Sequence, residues 1–196
     1  MPASLLPLLL LNIIAYGITP GPANIYSMSC SLKWGRGRAL RMWWGLLTGA
    51  AIDLTIVTLV CWLLGEAMGH WVEYVKYVGA AYILWLAWKI FKTRGSQTAD
   101  AAQCSFLSGL IMQLTNAKIV VFEFMAFGTF VLPHGHNLAT MAAVAPLFLL
   151  AGPGCNFIWI MAGELLRKRI YDHHMRTVDT IFALALAACA VLILLQ

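Results

Sequence analysis

The chain has 196 residues, of which 61% are hydrophobic and only 11% charged, less than half the roughly 25% charged share of an ordinary soluble domain. That leaves too little polar surface to clothe a soluble fold. The net charge of +5 does not signal nucleic acid: the basic residues sit in short clusters between apolar runs, with no groove-sized patch carrying interleaved aromatics, and orientation in a membrane accounts for them.

Polar breaks divide the chain into six predicted spans, at about 4–32, 40–65, 73–92, 105–131, 138–165 and 177–195, each near or above the roughly 20 residues that cross a bilayer. The first span contains Thr19-Pro20-Gly21-Pro22-Ala23-Asn24. Proline removes a backbone donor and clashes with the preceding turn. Each carbonyl so freed in hydrocarbon costs several kcal/mol unless protein or a watery cavity satisfies it. A break at that depth therefore points to a small-solute site. No Lys or Arg precedes Lys33, so the span lacks the basic start of a cleaved signal peptide and is expected to remain in place.

The second span holds Asp53 and the small-residue pair Gly45 and Gly49; the third holds Gly79-Ala80-Ala81. Close helix packing is the first role for such glycines. The Tyr74, Tyr77, Tyr82, Trp85 and Trp88 group brackets the third span as interfacial aromatics, as Trp43 and Trp44 do beside Arg41. The fourth span carries the polar patch Gln113-Leu-Thr-Asn-Ala-Lys118 and, farther along, Glu123; the fifth carries Gly152-Pro-Gly154, which breaks or bends it, and Asn156. Charges at mid-membrane cost roughly 2.5–3.5 kcal/mol and so normally face the bundle interior and find partners. Lys118 is a natural partner for Asp53 or Glu123, as a static ion pair or as part of a working site.

Positive charge sets the orientation. Lys33, Arg36, Arg38 and Arg41 flank the first connection, Lys89, Lys92 and Arg94 the third, and Arg167, Lys168, Arg169 and Arg176 the fifth. The intervening connections carry Glu66, His70 and Glu73, and Pro133-His-Gly-His-Asn137. The odd connections are thus expected in the cytoplasm and both termini outside. Six spans split into two halves of three, about 1–95 and 104–196, which must insert with opposite topology. The breaks at Thr19–Asn24 and Gln113–Lys118 fall in corresponding spans, and such paired interruptions point to a site at the midplane. The expected fold is an all-α integral membrane protein: one domain over 1–196, six transmembrane helices in two inverted three-helix repeats, with broken helices near the midplane.

Other chemistries find little support. No Gly-x-Ser-x-Gly elbow, His-Glu-x-x-His or phosphate loop occurs. Cys30, Cys61, Cys104, Cys155 and Cys189 are odd in number and contain no Cys-x-x-Cys, so a membrane thiol oxidoreductase is a weak alternative. His134, His136, His173 and His174 offer no helical metal-ligand pair, and neither metal nor cofactor is expected. A non-transporting membrane scaffold would leave the broken first span without purpose. Small-residue faces would serve packing within one chain or in a homo-oligomer.

Three blocks carry a family resemblance over nearly the whole chain: Thr19-Pro-Gly-Pro-Ala-Asn24, Lys76-Tyr-Val-Gly-Ala-Ala-Tyr-Ile-Leu-Trp-Leu-Ala-Trp-Lys89, and Asn116-Ala-Lys118 before an apolar run. The chain resembles the LysE/RhtB superfamily of amino-acid exporters. It departs from the family's commoner Asn-Pro-Lys at Ala117, which weakens the expectation of a break there. With Thr129-Phe-Val-Leu-Pro133, the Asn-x-Lys variant resembles the cysteine and O-acetylserine exporters, with threonine or homoserine carriers next. The resemblance implies proton-driven export of a small amino acid across a bacterial cytoplasmic membrane, with no enzymatic activity and with substrate, protons and lipid as partners. The substrate carboxylate is expected at the backbone N–H groups after Pro22, helped by Asn24 and Lys118. The ammonium is expected at Asp53 or at the carbonyls freed around Ile18 and Thr19. Thr19, Pro20, Gly21, Pro22, Asn24, Asn116, Lys118 and Asn156 form the candidate substrate site, and Asp53 and Glu123 the candidate ion-coupling acids.

Overall fold

The computed structural model describes residues 2–64, 81, 84, 85, 87, 88, 91, 92, 104–134 and 137–195. Most of the third predicted span, its Tyr74/Tyr77/Tyr82 group, the Glu66–Glu73 connection and His136 lie outside the described residues. The regular structure among the described residues is all helical.

A short 3-10 turn leads into α1 (Leu6–Ile18). This helix ends where the sequence requires. Thr19 precedes a proline and is pushed to an extended backbone, φ −56° and ψ 133°. After Pro20, Gly21 is extended (φ −149°, ψ 172°) and Pro22 opens α2 (Pro22–Trp34) at the first helical position, where its missing N–H costs nothing. The two helices meet at a 53° bend. α2 stops at Gly35, whose φ of +80° suits a residue without a side chain. α3 (Arg36–Leu64) follows at once.

α4 (Phe106–Leu114) begins with a reciprocal cap: the Ser105 hydroxyl accepts from the Ser108 N–H at 3.2 Å and the Ser108 hydroxyl from the Ser105 N–H at 2.9 Å. Thr115 and Asn116 interrupt it, and α5 (Ala117–Ala126) leaves at another 53° bend. The second break therefore forms without a proline. Thr115 spends its hydroxyl on the Ile111 carbonyl at 2.7 Å, and Asn116, at φ −81° and ψ 79°, starts the new helix. A π turn (Phe127–Val131) and a 3-10 turn (Leu132–His134) complete this arm.

α6 (Leu138–Leu195) runs for 58 residues and carries both the fifth and sixth predicted spans. The connection expected near 166–176 is helical. Nothing in Arg167–Arg176 stops a helix, since the segment has neither proline nor glycine. Nor does Gly152-Pro153-Gly154 break the fifth span; the helix continues through Pro146 and Pro153. Among the described residues, α3 and the Leu138–Arg167 part of α6 are each long and apolar enough to cross a membrane, and the two bent pairs raise the number of candidate crossings to as many as four.

The surface is apolar and the interior carries the polar groups. Leu11, Leu63, Leu107, Met125, Leu150 and Leu184 are exposed, whereas Asn24, Ser27, Asp53, Gln113, Asn116, Glu123 and Asn156 are buried. α3 and α4 cross almost backbone to backbone, because a Cβ at Gly45 would strike the Phe106 carbonyl and one at Gly109 the Met42 carbonyl. Glycine packing of this kind replaces the hydrophobic effect, which is absent between helices in lipid. Cys30 of α2 and Cys104, just before α4, form a disulfide with Cα atoms 5.8 Å apart. Sequence offered no sign of that pairing, since 74 residues separate the two.

Candidate functional site

The two breaks face each other, and the details follow from the prolines. In a helix the carbonyl of residue i accepts from the N–H of i+4. Pro20 and Pro22 have none, so the Tyr16 and Ile18 carbonyls lose their partners. Side chains from elsewhere replace them. Lys118 Nζ donates to Tyr16 O at 3.1 Å and to Thr19 O at 3.0 Å, and Trp159 Nε1 of α6 donates to Ile18 O at 3.3 Å. Asn24 Nδ2 reaches Gly17 O at 2.6 Å and Thr19 O at 3.0 Å. Thr19 closes its own turn by donating its hydroxyl to Ala15 O at 2.7 Å. The C-terminal end of α1, negative by its dipole, thus rests against an ammonium that comes from the opposite break.

Lys118 stands on the α1 carbonyls and 4.5 Å from the centre of the Tyr16 ring, and Asp53 accepts from Gln113 Nε2 at 3.3 Å. The carbonyls around Ile18 and Thr19, a candidate ammonium site in sequence, are occupied by protein donors. Gly21 lies close beneath the lysine: a Cβ there would lie 3.0 Å from Lys118 Cδ, so the lysine stem would have to shift by a few tenths of an ångström.

Two small cavities lie between the breaks. One, of about 20 Å³, is bordered by Gly21, Ala23, Asn24, Asn116, Lys118 and Asn156. The other, of about 30 Å³, is bordered by Tyr16, Gln113, Glu123 and Asn156 with the apolar Phe122 and Phe148. Both touch Gly17, Ile119, Gly152 and Asn156, so they adjoin. A water needs about 10–15 Å³ measured in this way. Each cavity therefore holds one or two waters, and the helices must part to admit anything larger. Tyr16 stacks on Phe122 at 4.2 Å and fixes one wall.

Three acceptors at these cavities have no hydrogen-bond partner among the described residues: Asn116 Oδ1, Glu123 Oε2 and Asn156 Oδ1. Their residues are 2%, 3% and 8% exposed. An orphaned buried acceptor costs about 1–3 kcal/mol, more if charged, and native proteins carry few of them. Asn156 gives its amide to Gly152 O at 3.3 Å, which leaves its oxygen for the cavity. The site thus presents acceptors at one end. At the other it has Lys118 and the first turn of α2.

Of the candidate residues, Gly21, Asn24, Asn116, Lys118 and Asn156 come together at one cavity and Glu123 at its neighbour. Thr19, Pro20 and Pro22 border neither; Thr19 contributes its carbonyl, and the prolines shape the break. Asp53 reaches the site through Gln113. Sequence reading gave no role to Tyr16, Trp159 or Gln113. Tyr16 and Trp159 had a signal, since each proline orphans the carbonyl four residues before it and so demands a donor from elsewhere.

Buried polar groups held between two broken helices, inside an apolar surface, suit a membrane protein that handles a small polar solute. The chain belongs to the LysE type translocator family, whose model matches residues 14–196. It is similar to the cysteine/O-acetylserine efflux proteins of Salmonella typhimurium (33% identical over 175 residues, 89% of each chain), Klebsiella pneumoniae (32% over 180 residues, 91% of each) and Escherichia coli K12 (31% over 175 residues, 89% of each). No solved structure matches. The protein is therefore a multi-pass membrane transporter of an amino-acid export family, and its relatives are carriers, not enzymes.

Proposed function

We propose that the protein exports a small zwitterionic amino acid, with cysteine and O-acetylserine favoured and threonine or homoserine next, across a bacterial inner membrane by proton antiport. One observation carries this reading: both helix breaks and Asn156 meet at adjoining cavities that hold three buried acceptors without a partner among the described residues. Such a set is complementary to an ammonium group. The substrate's ammonium would sit among Asn116 Oδ1, Asn156 Oδ1 and Glu123. Its carboxylate would face Lys118 and the α2 N-terminus, where backbone N–H groups and the helix dipole favour an anion. Phe122 and Phe148 would leave room only for a short, weakly polar side chain. The names of the efflux relatives support the substrate class.

Coupling in this reading belongs to Glu123 and Asp53. A carboxyl that holds the ammonium when ionised, and a proton when the substrate has left, exchanges one cation for another across the membrane. The matching 53° bends in α1–α2 and α4–α5 support two inverted repeats of three helices, about 1–95 and 104–196, in one domain; six crossings with both termini outside further require α6 to turn back within Arg167–Arg176, where it is helical. The strongly basic Arg167–Arg176 stretch of α6 belongs at the cytoplasmic surface in that topology.

Counterflow in proteoliposomes tests the reading. Vesicles loaded with unlabelled cysteine, O-acetylserine, threonine, homoserine, lysine or arginine face a labelled trace of the same compound. Accumulation for cysteine or O-acetylserine, lost in Asn156→Leu, is the expected result. No counterflow with any of the six in folded protein would refute it.

A further inference from the structure

The site occupies the first turn of α2, and a stripe of polar residues continues from it. Asn24, Ser27 and Ser31 stand at i, i+3 and i+7, on one side of the helix. Ser27 and Ser31 are fully buried, and neither hydroxyl has a hydrogen-bond partner among the described residues. Helical serines commonly return the hydroxyl to the carbonyl one turn back; these two do not. Against them lies α6, whose Asn156, Ile160, Gly163 and Arg167 recur at helical spacing from the site outward.

Contact along this seam is close. A Cβ at Gly163 would lie 2.5 Å from the Met28 carbonyl oxygen and 3.0 Å from Ser31 Cβ. At the far end Glu164 Oε2 accepts the Arg36 N–H at 3.1 Å, and the Arg167 guanidinium lies over Gly35. Both belong to the basic clusters that face the cytoplasm under the positive-inside rule. A dry seam that buries orphan hydroxyls gains hydrogen bonds when it opens to water or to a polar solute. Gly163 supplies the contact that shuts it.

We propose that the α2–α6 seam is the gated passage between the substrate site and the basic face, lined by the Ser27 and Ser31 hydroxyls and closed at Gly163. The passage rests on the transport reading above and carries the same zwitterion.

The test is accessibility. Ser27→Cys and Ser31→Cys are made separately in a chain whose five native cysteines are alanine. A membrane-impermeant trimethylammonium thiosulfonate is then applied to vesicles of either orientation. Both variants should react from the basic face and not from the other, and Gly163→Ala should speed the reaction of S31C several-fold. Failure of either to react from the basic face, or rates indifferent to Gly163→Ala, would overturn the gate. Ser31→Ala in the native chain is a second check that needs no labelling: counterflow should slow with the half-saturating substrate concentration unchanged, and an unchanged flux would count against the passage. Labelling needs no knowledge of the substrate. Absence of counterflow in the native chain refutes the carrier, whereas normal counterflow with unreactive S27C and S31C refutes only the seam.

Discussion

Lys118→Met combined with Pro20→Ala probes why the first break needs the second. Pro20 denies the Tyr16 carbonyl its helical donor, and Lys118 supplies one at 3.1 Å while also holding Thr19 O at 3.0 Å. Methionine keeps the stem and removes the donor. Thr19 O retains Asn24 at 3.0 Å, so the main loss is at Tyr16. A hydrogen bond from a charged donor contributes about 1.5–3 kcal/mol, part of which is offset because the lysine no longer has to be desolvated. For a chain of 150–250 residues, each kcal/mol moves the melting temperature by about 2–4 °C, so Lys118→Met should melt roughly 3–10 °C lower in detergent. Pro20→Ala restores an N–H that can take over the Tyr16 carbonyl. In the double variant that bond, worth about 1 kcal/mol, should return part of the loss and make the pair non-additive by roughly 2–4 °C. The assay is a thermal melt of four purified proteins followed by tryptophan fluorescence. Strict additivity would refute the idea that the lysine replaces the donor removed by proline.

Trp159→Phe should cost about 1–3 kcal/mol by orphaning Ile18 O, seen as a lower melting temperature with little change in expression. Glu123→Gln keeps the shape of the site and removes its charge; counterflow should survive at reduced affinity while uphill export driven by a proton gradient is lost, as a radiotracer efflux assay with and without an imposed gradient would show. Gly109→Val drives side-chain carbons into the Met42 backbone, and should lower stability by at least about 3 kcal/mol, read as loss of monodisperse protein in gel filtration. Gln113→Leu strips Asp53 of the amide that it accepts from, and should weaken uphill transport less than Asp53→Asn does in the same efflux assay, since the carboxyl that carries the proton remains.

Sequence made the two breaks legible for different reasons. At Thr19–Asn24 the chemistry is local, because proline forbids the helix whatever surrounds it. At Asn116 it is not local, since Ala117 permits a helix and the polar run Gln113–Lys118 only hinted at a turn. Tertiary demand decided the matter: Lys118 has to reach back to the α1 carbonyls, and Asn116 to turn its oxygen inward. The basic stretch at Arg167–Arg176 misled in the opposite direction. Charge marks where a chain meets water but does not by itself end a helix, and α6 runs on. The Cys30–Cys104 link and the Ser27–Ser31 stripe were invisible in spacing, because each needs a partner helix to give it meaning.

Direct binding tests whether the two breaks together make the substrate site. Scintillation-proximity titration of labelled cysteine or O-acetylserine on purified protein should saturate for the native chain. The signal should be abolished in both Asn116→Leu and Asn156→Leu, provided each variant melts as a folded protein. If both leucine variants bind as the native chain does, the substrate lies elsewhere and the account is contradicted.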